Sequence, residues 1–289
     1  MRDLYLYVFR HAIIVNGYVD DYTWRGIRHR NWGDDLNYYF LRELTGRPVV
    51  FYHNFKLAKW LHLKNYMCIG TLLDAVNYSN RQTIVWGSGV SGQERSFVQP
   101  KNILAVRGHK TKDFCDKYGV SCPNAYGDPA LLLPLIYQPK RKKEGKYKLG
   151  IIPHVVDLGH PVIENVRKNY SGEILIINLE HYDQWTDVID QICSCERILS
   201  SSLHGLIVSD AYQVPNCWIE LSGKISGGYF KFYDYASSVE RHFENPAKVN
   251  SVKELDMLDV EYALPQQITV LQEGLIKACP FELSNLKLL

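Results

Sequence analysis

Short apolar runs ending in glycine or a charged residue alternate with segments whose apolar positions recur every three to four residues, a rhythm that predicts an α/β protein. Leu4 to Phe9 reads as a first strand, closed by Arg10 and His11. Asn31 to Asn37 opens a helix with Leu36, Tyr39, Phe40 and Leu44 on one face, which ends near Gly46 and Pro48. The run Pro48 to Tyr52 gives another strand. Met67 to Gly70, Thr83 to Gly89 and Ile103 to Gly108 each finish in glycine, the pattern of a buried parallel strand whose end lets something approach its backbone. Lys110 to Lys117 supplies a following helix.

Between Pro139 and Tyr147 the apolar periodicity stops and Lys, Arg, Glu and Gly take over, as in a domain linker. The α/β rhythm then restarts. Lys148 to His154, Glu173 to Asn178 and Asn216 to Leu221 read as strands, and Val162 to Lys168 and Trp185 to Cys195 as helices. A last helix, Pro265 to Lys277, has Ile268, Val270, Leu271 and Leu275 to bury. The expectation is two Rossmann-like halves, residues 1–140 and 147–289, with a cleft between facing sheet edges and the last helix packing back on the first half.

Composition narrows the class without naming a function. The chain has 289 residues, 46% of them hydrophobic and 22% charged, enough for one large or two modest cores. Lys and Arg total 33 against 31 Asp and Glu, so no global positive field suggests a nucleic-acid partner. Local basic runs at Arg25 to Arg30 and Lys140 to Lys143 read first as solvated loops, and second as peripheral contacts with an anionic membrane or a charged substrate. No apolar segment approaches the ~20 residues of a membrane span. Seven cysteines without a CxxC pair argue for a reducing, cytoplasmic setting, and the pair Cys193 and Cys195 reads as buried filler in place of a metal knuckle.

The chemistry concentrates between Arg197 and Pro215. Ile198 and Leu199 end a strand, Ser200, Ser201 and Ser202 make a turn, and Leu203, Leu206, Ile207 and Ala211 recur at helical spacing until Pro215 forbids continuation. His204 therefore falls in a first helical turn beside Gly205, where unpaired amides and the helix dipole favour an anion and depress an imidazole pKa. Serine caps and a His bonded to a neighbour are the ordinary alternative. Arg107, at the tip of an Ala-Val-Arg-Gly strand end, offers a forked cation for a carboxylate or phosphate. Asp34 and Asp35 sit in the first turn of the Asn31 helix, and His154 ends a strand of the second half. Lys231 lies among aromatics, either snorkelling or binding a phosphate.

The Ser200 to Gly205 stretch resembles the Ser-x-Arg-Leu-His-Gly signature of the polysaccharide pyruvyl transferase family. Further matches follow in family order at Asn31 to Leu36, Trp86 to Gly89, Val106 to Gly108, Gly127 to Leu133, Pro153 to His154 and Lys231 to Asp234. Ser202 stands where most of that family has Arg. The resemblance implies a GT-B-like enzyme that transfers the enolpyruvyl group of phosphoenolpyruvate to two hydroxyls of a sugar, free or lipid-linked, with no metal or other cofactor. It implies His204 and Asp34 as catalytic residues. Arg107, Ser202, Leu203, Gly205 and Lys231 would bind the donor, and Asn31, Asp35 and His154 the acceptor. A nucleotide-sugar glycosyltransferase, or a sugar-binding module on a decayed scaffold, is the alternative that Ser202 keeps open.

Overall fold

The computed structural model describes residues 2–18, 22–24, 27–75, 80–93, 97–139, 147–224 and 228–284. The hinge expected between Pro139 and Tyr147 falls on residues 140–146, outside those described, as does the basic run Lys140 to Lys143.

The first half runs α1 (Arg2–Arg10), β1 (Ile13–Val15), β2 (Tyr22–Trp24), β3 (Ile27–His29), α2 (Trp32–Thr45), β4 (Val49–Phe51), α3 (Lys56–Trp60), β5 (Asn65–Met67), β6 (Thr83–Trp86), β7 (Asn102–Ala105), α4 (His109–Lys117) and α5 (Leu133–Ile136). The second half runs β8 (Leu149–Ile152), α6 (Pro161–Asn169), β9 (Ile174–Ile176), α7 (Trp185–Cys193), β10 (Ile198–Ser200), α8 (Leu203–Ala211), β11 (Asn216–Glu220), α9 (Phe230–Ser238), β12 (Ala247–Lys248) and α10 (Pro265–Lys277). Among the described residues no helix is long and apolar enough to cross a membrane.

Two five-stranded sheets result, in the orders β4-β1-β5-β6-β7 and β9-β8-β10-β11-β12, with every neighbouring pair parallel. Counted within each half, both follow the order 2-1-3-4-5, so the chain repeats one doubly wound topology. The repetition bears on function. In such a sheet the strand order reverses between the first and third strands, and ligands bind in the crevice beyond their C-terminal ends.

Local sequence explains the helices that flank these ends. Asn31 caps α2 by accepting from the Gly33 amide at 3.2 Å, and Gly46 closes it in the left-handed region at φ 67. Between them Trp32, Leu36, Phe40 and Leu44 are buried. α8 is buried almost all round, as a helix wedged between a sheet and other helices must be. One apolar cluster takes Trp32, Phe40 and Trp86 from the first half and Ile192, Leu206 and Phe232 from the second. Side-chain hydrogen bonds cross the same way: the Trp32 indole donates to the Trp185 carbonyl at 2.8 Å, and the Trp86 indole to the Leu275 carbonyl at 3.0 Å.

Three expectations need correction. Leu4 to Phe9 lies in helix α1, and the first strand is the next apolar run, Ile13–Val15, buried on both faces between β4 and β5. A six-residue apolar run fits either period, and Leu6 and Tyr7 pack on the sheet while Leu4, Tyr5, Val8 and Phe9 stay outside. The strand expected at Met67 to Gly70 sits two residues earlier, which places Gly70 beyond its end. Val270 on the last helix is 60% exposed, whereas Ile268, Leu271 and Leu275 are buried.

Candidate anion-binding site

The crevices of both sheets open into a single cavity of about 480 Å³. In the second sheet, His154 follows β8 and Ser202 follows β10, the two strands between which the order reverses. In the first sheet, Tyr18 follows β1 and Thr71 follows β5, again the reversal pair. Asn31, Asp34, Arg107, Leu203, His204 and Lys231 complete the part of the wall expected from sequence. Asp35 and Gly205 are the two expected residues outside it.

The start of α8 is built to hold its loop and leave its amides available. Ser200 Oγ donates to the Ser202 carbonyl at 2.8 Å and accepts from the Ser202 amide at 3.0 Å. Ser201 Oγ donates to buried Asp157 at 3.0 Å. Ser202, the cap residue, makes no side-chain capping bond, so the first-turn amides keep the donors that a helix cannot satisfy internally. Gly205 serves this turn from behind, since a Cβ there would come within 2.2 Å of Ser200 Oγ.

His204 is the most perturbed titratable group of the wall. Burial, then the charges of Lys231 and Arg107, pull its pKa down to about 3, so the ring is neutral near pH 7. Its Nε2 is sealed from solvent and has no hydrogen-bond partner among the described residues. The first turn of α2 meets this ring directly: a Cβ on Gly33 would lie 2.0 Å from His204 Nδ1. The glycine of the Asn-Trp-Gly-Asp motif therefore lets the N-terminal ends of two helices face each other across the imidazole.

Arg107 occupies the wall differently from expectation. It is fully buried, with Nε 2.9 Å from Asp234, one terminal nitrogen donating to Thr71 Oγ1 at 2.8 Å and the other to the Val90 carbonyl at 3.1 Å. Asp234 also accepts from the Thr111 amide and hydroxyl, both at 2.7 Å. Two glycines make room for this pair. A Cβ on Gly89 would come within 2.4 Å of the guanidinium, and one on Gly108 within 1.8 Å of the Asp234 carbonyl. Each terminal nitrogen of Arg107 still has its second N–H.

Lys231 carries the other positive charge. Burial and the nearby Arg107 lower its pKa to about 8, and Asp34 opposes part of that shift. Its ammonium lies 5.5 Å from the Phe232 ring. Lys224, a further cation of this region, is exposed and lies outside the wall. His154 is pulled down to about 4, by burial first and by Lys231 second, and its Nδ1 accepts from the Val156 amide at 3.4 Å.

Asp35 serves the fold: Arg30 Nε donates to it at 3.0 Å and the Tyr182 hydroxyl also donates to it, in an assembly that joins α2 to the second half. Sequence reading missed Tyr18, Thr71 and Asp74 in the wall and the role of Asp234 as the counter-charge of Arg107. Asp74 is buried and accepts from the Ser91 amide and hydroxyl at 2.8 and 2.6 Å. The glycine-terminated strand ends were the available signal for Thr71; nothing local announces a partner 127 residues away, as Asp234 is from Arg107.

The sequence model of the family described as polysaccharide pyruvyl transferase matches residues 57–223, a span that contains Arg107, His154 and His204. An uncharacterized protein, L143, of Acanthamoeba polyphaga mimivirus is 26% identical over 250 residues, covering 82% of this chain and 84% of the relative. The succinoglycan biosynthesis protein ExoV of Rhizobium meliloti is 29% identical over 231 residues, covering 75% of this chain and 64% of that protein's own length.

Proposed function

The chain belongs to the polysaccharide pyruvyl transferase family, and from that premise we propose that it moves the enolpyruvyl unit of phosphoenolpyruvate onto two hydroxyls of one sugar, giving a pyruvate ketal and inorganic phosphate. The observation that carries the reading is the meeting of the α8 amide end, His204 and Lys231 in one cavity at the strand-order reversals of both sheets. That set suits a small ligand bearing a carboxylate and a phosphate.

The donor's anions take the first-turn amides of α8, the Ser202 hydroxyl and the Lys231 ammonium, with the spare N–H groups of Arg107 behind them. Their negative charge raises the His204 pKa, so the ring takes up a proton as the donor settles. Protonation of the donor's methylene carbon by His204 leaves a cationic centre at its neighbouring carbon. One sugar hydroxyl attacks there and gives its proton to Asp34. Phosphate leaves with its bonding electron pair, and the second hydroxyl closes the ketal. One of the two hydroxyl protons replaces the one spent on carbon; the other departs with phosphate. Tyr18, Thr71, Asn31 and His154 face the space left for the acceptor.

Two sheets with facing crevices support a GT-B-like scaffold. The name of the rhizobial relative supports a role in exopolysaccharide assembly, where the acceptor is a lipid-linked or terminal hexoside handled at the cytoplasmic face. Thermal stabilisation by phosphoenolpyruvate, tested beside UDP and GDP sugars, checks the donor. Phosphate release across a panel of hexosides checks the reaction. Stabilisation by a nucleotide sugar alone would assign a glycosyltransferase, and sugar binding without donor binding would make the loss of Arg at Ser202 decisive for a sugar-binding module.

A further inference from the structure

Helix α1 contributes no fully buried side chain, yet it is apolar on both faces. Leu6 and Tyr7 point inward to a cluster of Ala12, Ile14, Val50, Tyr52, Phe55 and Ala58, and Leu57 and Leu63 reach that cluster from α3 and its exit. Tyr7 meets Phe55 edge-on at 6.1 Å, which seats α1 beside the start of α3. Their outward sides are therefore neighbours. Six of the thirteen exposed large apolar side chains among the described residues come from these two elements: Leu4, Tyr5, Val8 and Phe9 from α1, Trp60 at the end of α3 and Leu61 just beyond it. Phe9 is 68% and Trp60 74% exposed.

The charge of the same surface selects what covers it. Residues 2–12 and 47–64 contain six Lys and Arg (Arg2, Arg10, Arg47, Lys56, Lys59, Lys64) and one acid, Asp3. All but Arg47 are exposed cations. This concentration is local, since the chain as a whole carries a net charge of only +2. Aromatic and leucine side chains at the tip, with lysines able to snorkel around them, match the depth profile of a bilayer interface, and the excess of cations matches anionic head groups. A protein partner of ordinary composition satisfies the apolar part and leaves the cations without counter-charge.

We propose that the α1–α3 face docks this protein on an anionic lipid bilayer. The inference rests on this surface alone and stands apart from the chemistry of the cavity. It is tested by co-sedimenting the full-length protein with phosphatidylcholine vesicles with and without about 30% phosphatidylglycerol at physiological salt, where each surface cation contributes strongly to binding. The expected result is binding at least about tenfold tighter to the anionic vesicles. Phe9→Glu with Trp60→Glu, and separately Lys56→Glu with Lys59→Glu, are each expected to weaken it by about tenfold or more while melting temperatures stay unchanged, because these side chains are exposed. Wild-type protein that fails to sediment, variants that sediment like wild type, or binding indifferent to lipid charge would overturn the proposal. So would a solution dimer, measured by analytical ultracentrifugation, that the same substitutions dissociate, because the face would then be covered by a second copy.

Discussion

Arg107 and Lys231 carry the same formal charge on the same cavity wall, and they are held in opposite ways. Arg107 has a buried counter-ion in Asp234, hydrogen bonds at all three nitrogens, one glycine (Gly89) shaped to its guanidinium and another (Gly108) shaped to Asp234. Lys231 has an aromatic neighbour, a carboxylate that acts on it through space and a pKa lowered to about 8. A charge neutralised internally contributes shape and rigidity. A charge left waiting contributes binding energy when an anion arrives. Under the proposed function, the wall separates a cation that builds the site from a cation, with His204 beside it, that meets the donor's anions.

The largest expected effect breaks the first kind of cation. Asp234→Ala leaves the Arg107 guanidinium buried and uncompensated, which is expected to cost about 3–5 kcal/mol of folding stability, read as a large fall in melting temperature. Lys231→Met, by contrast, removes a buried charge that has no direct ion pair among the described residues and takes from Asp34 only a through-space counter-charge, so the melting temperature is expected to change far less. Equal losses in the two variants would abolish the distinction.

His204→Gln addresses the responsive end. Turnover is expected to drop by roughly 10²-fold or more, with donor affinity changed only a few fold and stability retained. Single-turnover kinetics beside a donor dissociation constant separates these quantities. Normal turnover would move the proton donor to His154.

Gly33→Ala is a subtler probe of the same ring. Its new methyl collides with the imidazole, so the ring shifts; turnover is expected to fall about tenfold with a stability loss of about 1–3 kcal/mol. A crystal structure of the variant with His204 unmoved would refute the packing argument.

The smallest effects lie in pH dependence. Bound anions favour the charged form of Lys231, so donor affinity is expected to weaken several-fold as pH rises through about 8, and this slope vanishes in Lys231→Met. Because the folded pKa of Lys231 lies below the usual 10.5, the unfolded chain binds more protons between the two values, and the ligand-free protein gains stability as pH rises across that window. The same sign applies to His204 and His154, with folded values of about 3 and about 4 against 6.5 when unfolded. Their contribution is complete above pH 6.5 and is lost as pH falls toward those values, so Gln at both positions flattens the acid limb of a stability curve.

Much of this was legible before any coordinates, and the limits have physical causes. The start and stop of α2 are local facts, a side-chain cap at Asn31 and a left-handed glycine at Gly46, so sequence reading found them. The strand–turn–helix around His204 is equally local. Leu4 to Phe9 misled because six apolar residues satisfy both periods, and the deciding fact was that Ile13–Val15 takes the interior sheet position between β4 and β5. Arg107 was found as a cavity residue but not as an ion pair, and Gly33 as part of a motif but not as the seat of an imidazole. Both depend on pieces of chain more than a hundred residues apart. Asp35 lies outside the cavity wall for a related reason, since Arg30 and Tyr182 donate to its carboxylate.

The indole of Trp86 finds its acceptor, the Leu275 carbonyl, 189 residues later in the chain. Phe281, beyond α10, likewise covers Tyr66 at 4.6 Å and Trp86 at 6.0 Å. On the ribosome, at about 5–20 residues per second, β6 therefore waits roughly 10–40 s for the residues that close over it. Until then Phe40 stacks on Trp86 at 6.2 Å, but the cover that Phe281 gives Tyr66 and Trp86 is missing. Closure of the first sheet therefore waits on the end of synthesis, and the packing of Trp86 and Tyr66 completes only once the last helix has emerged.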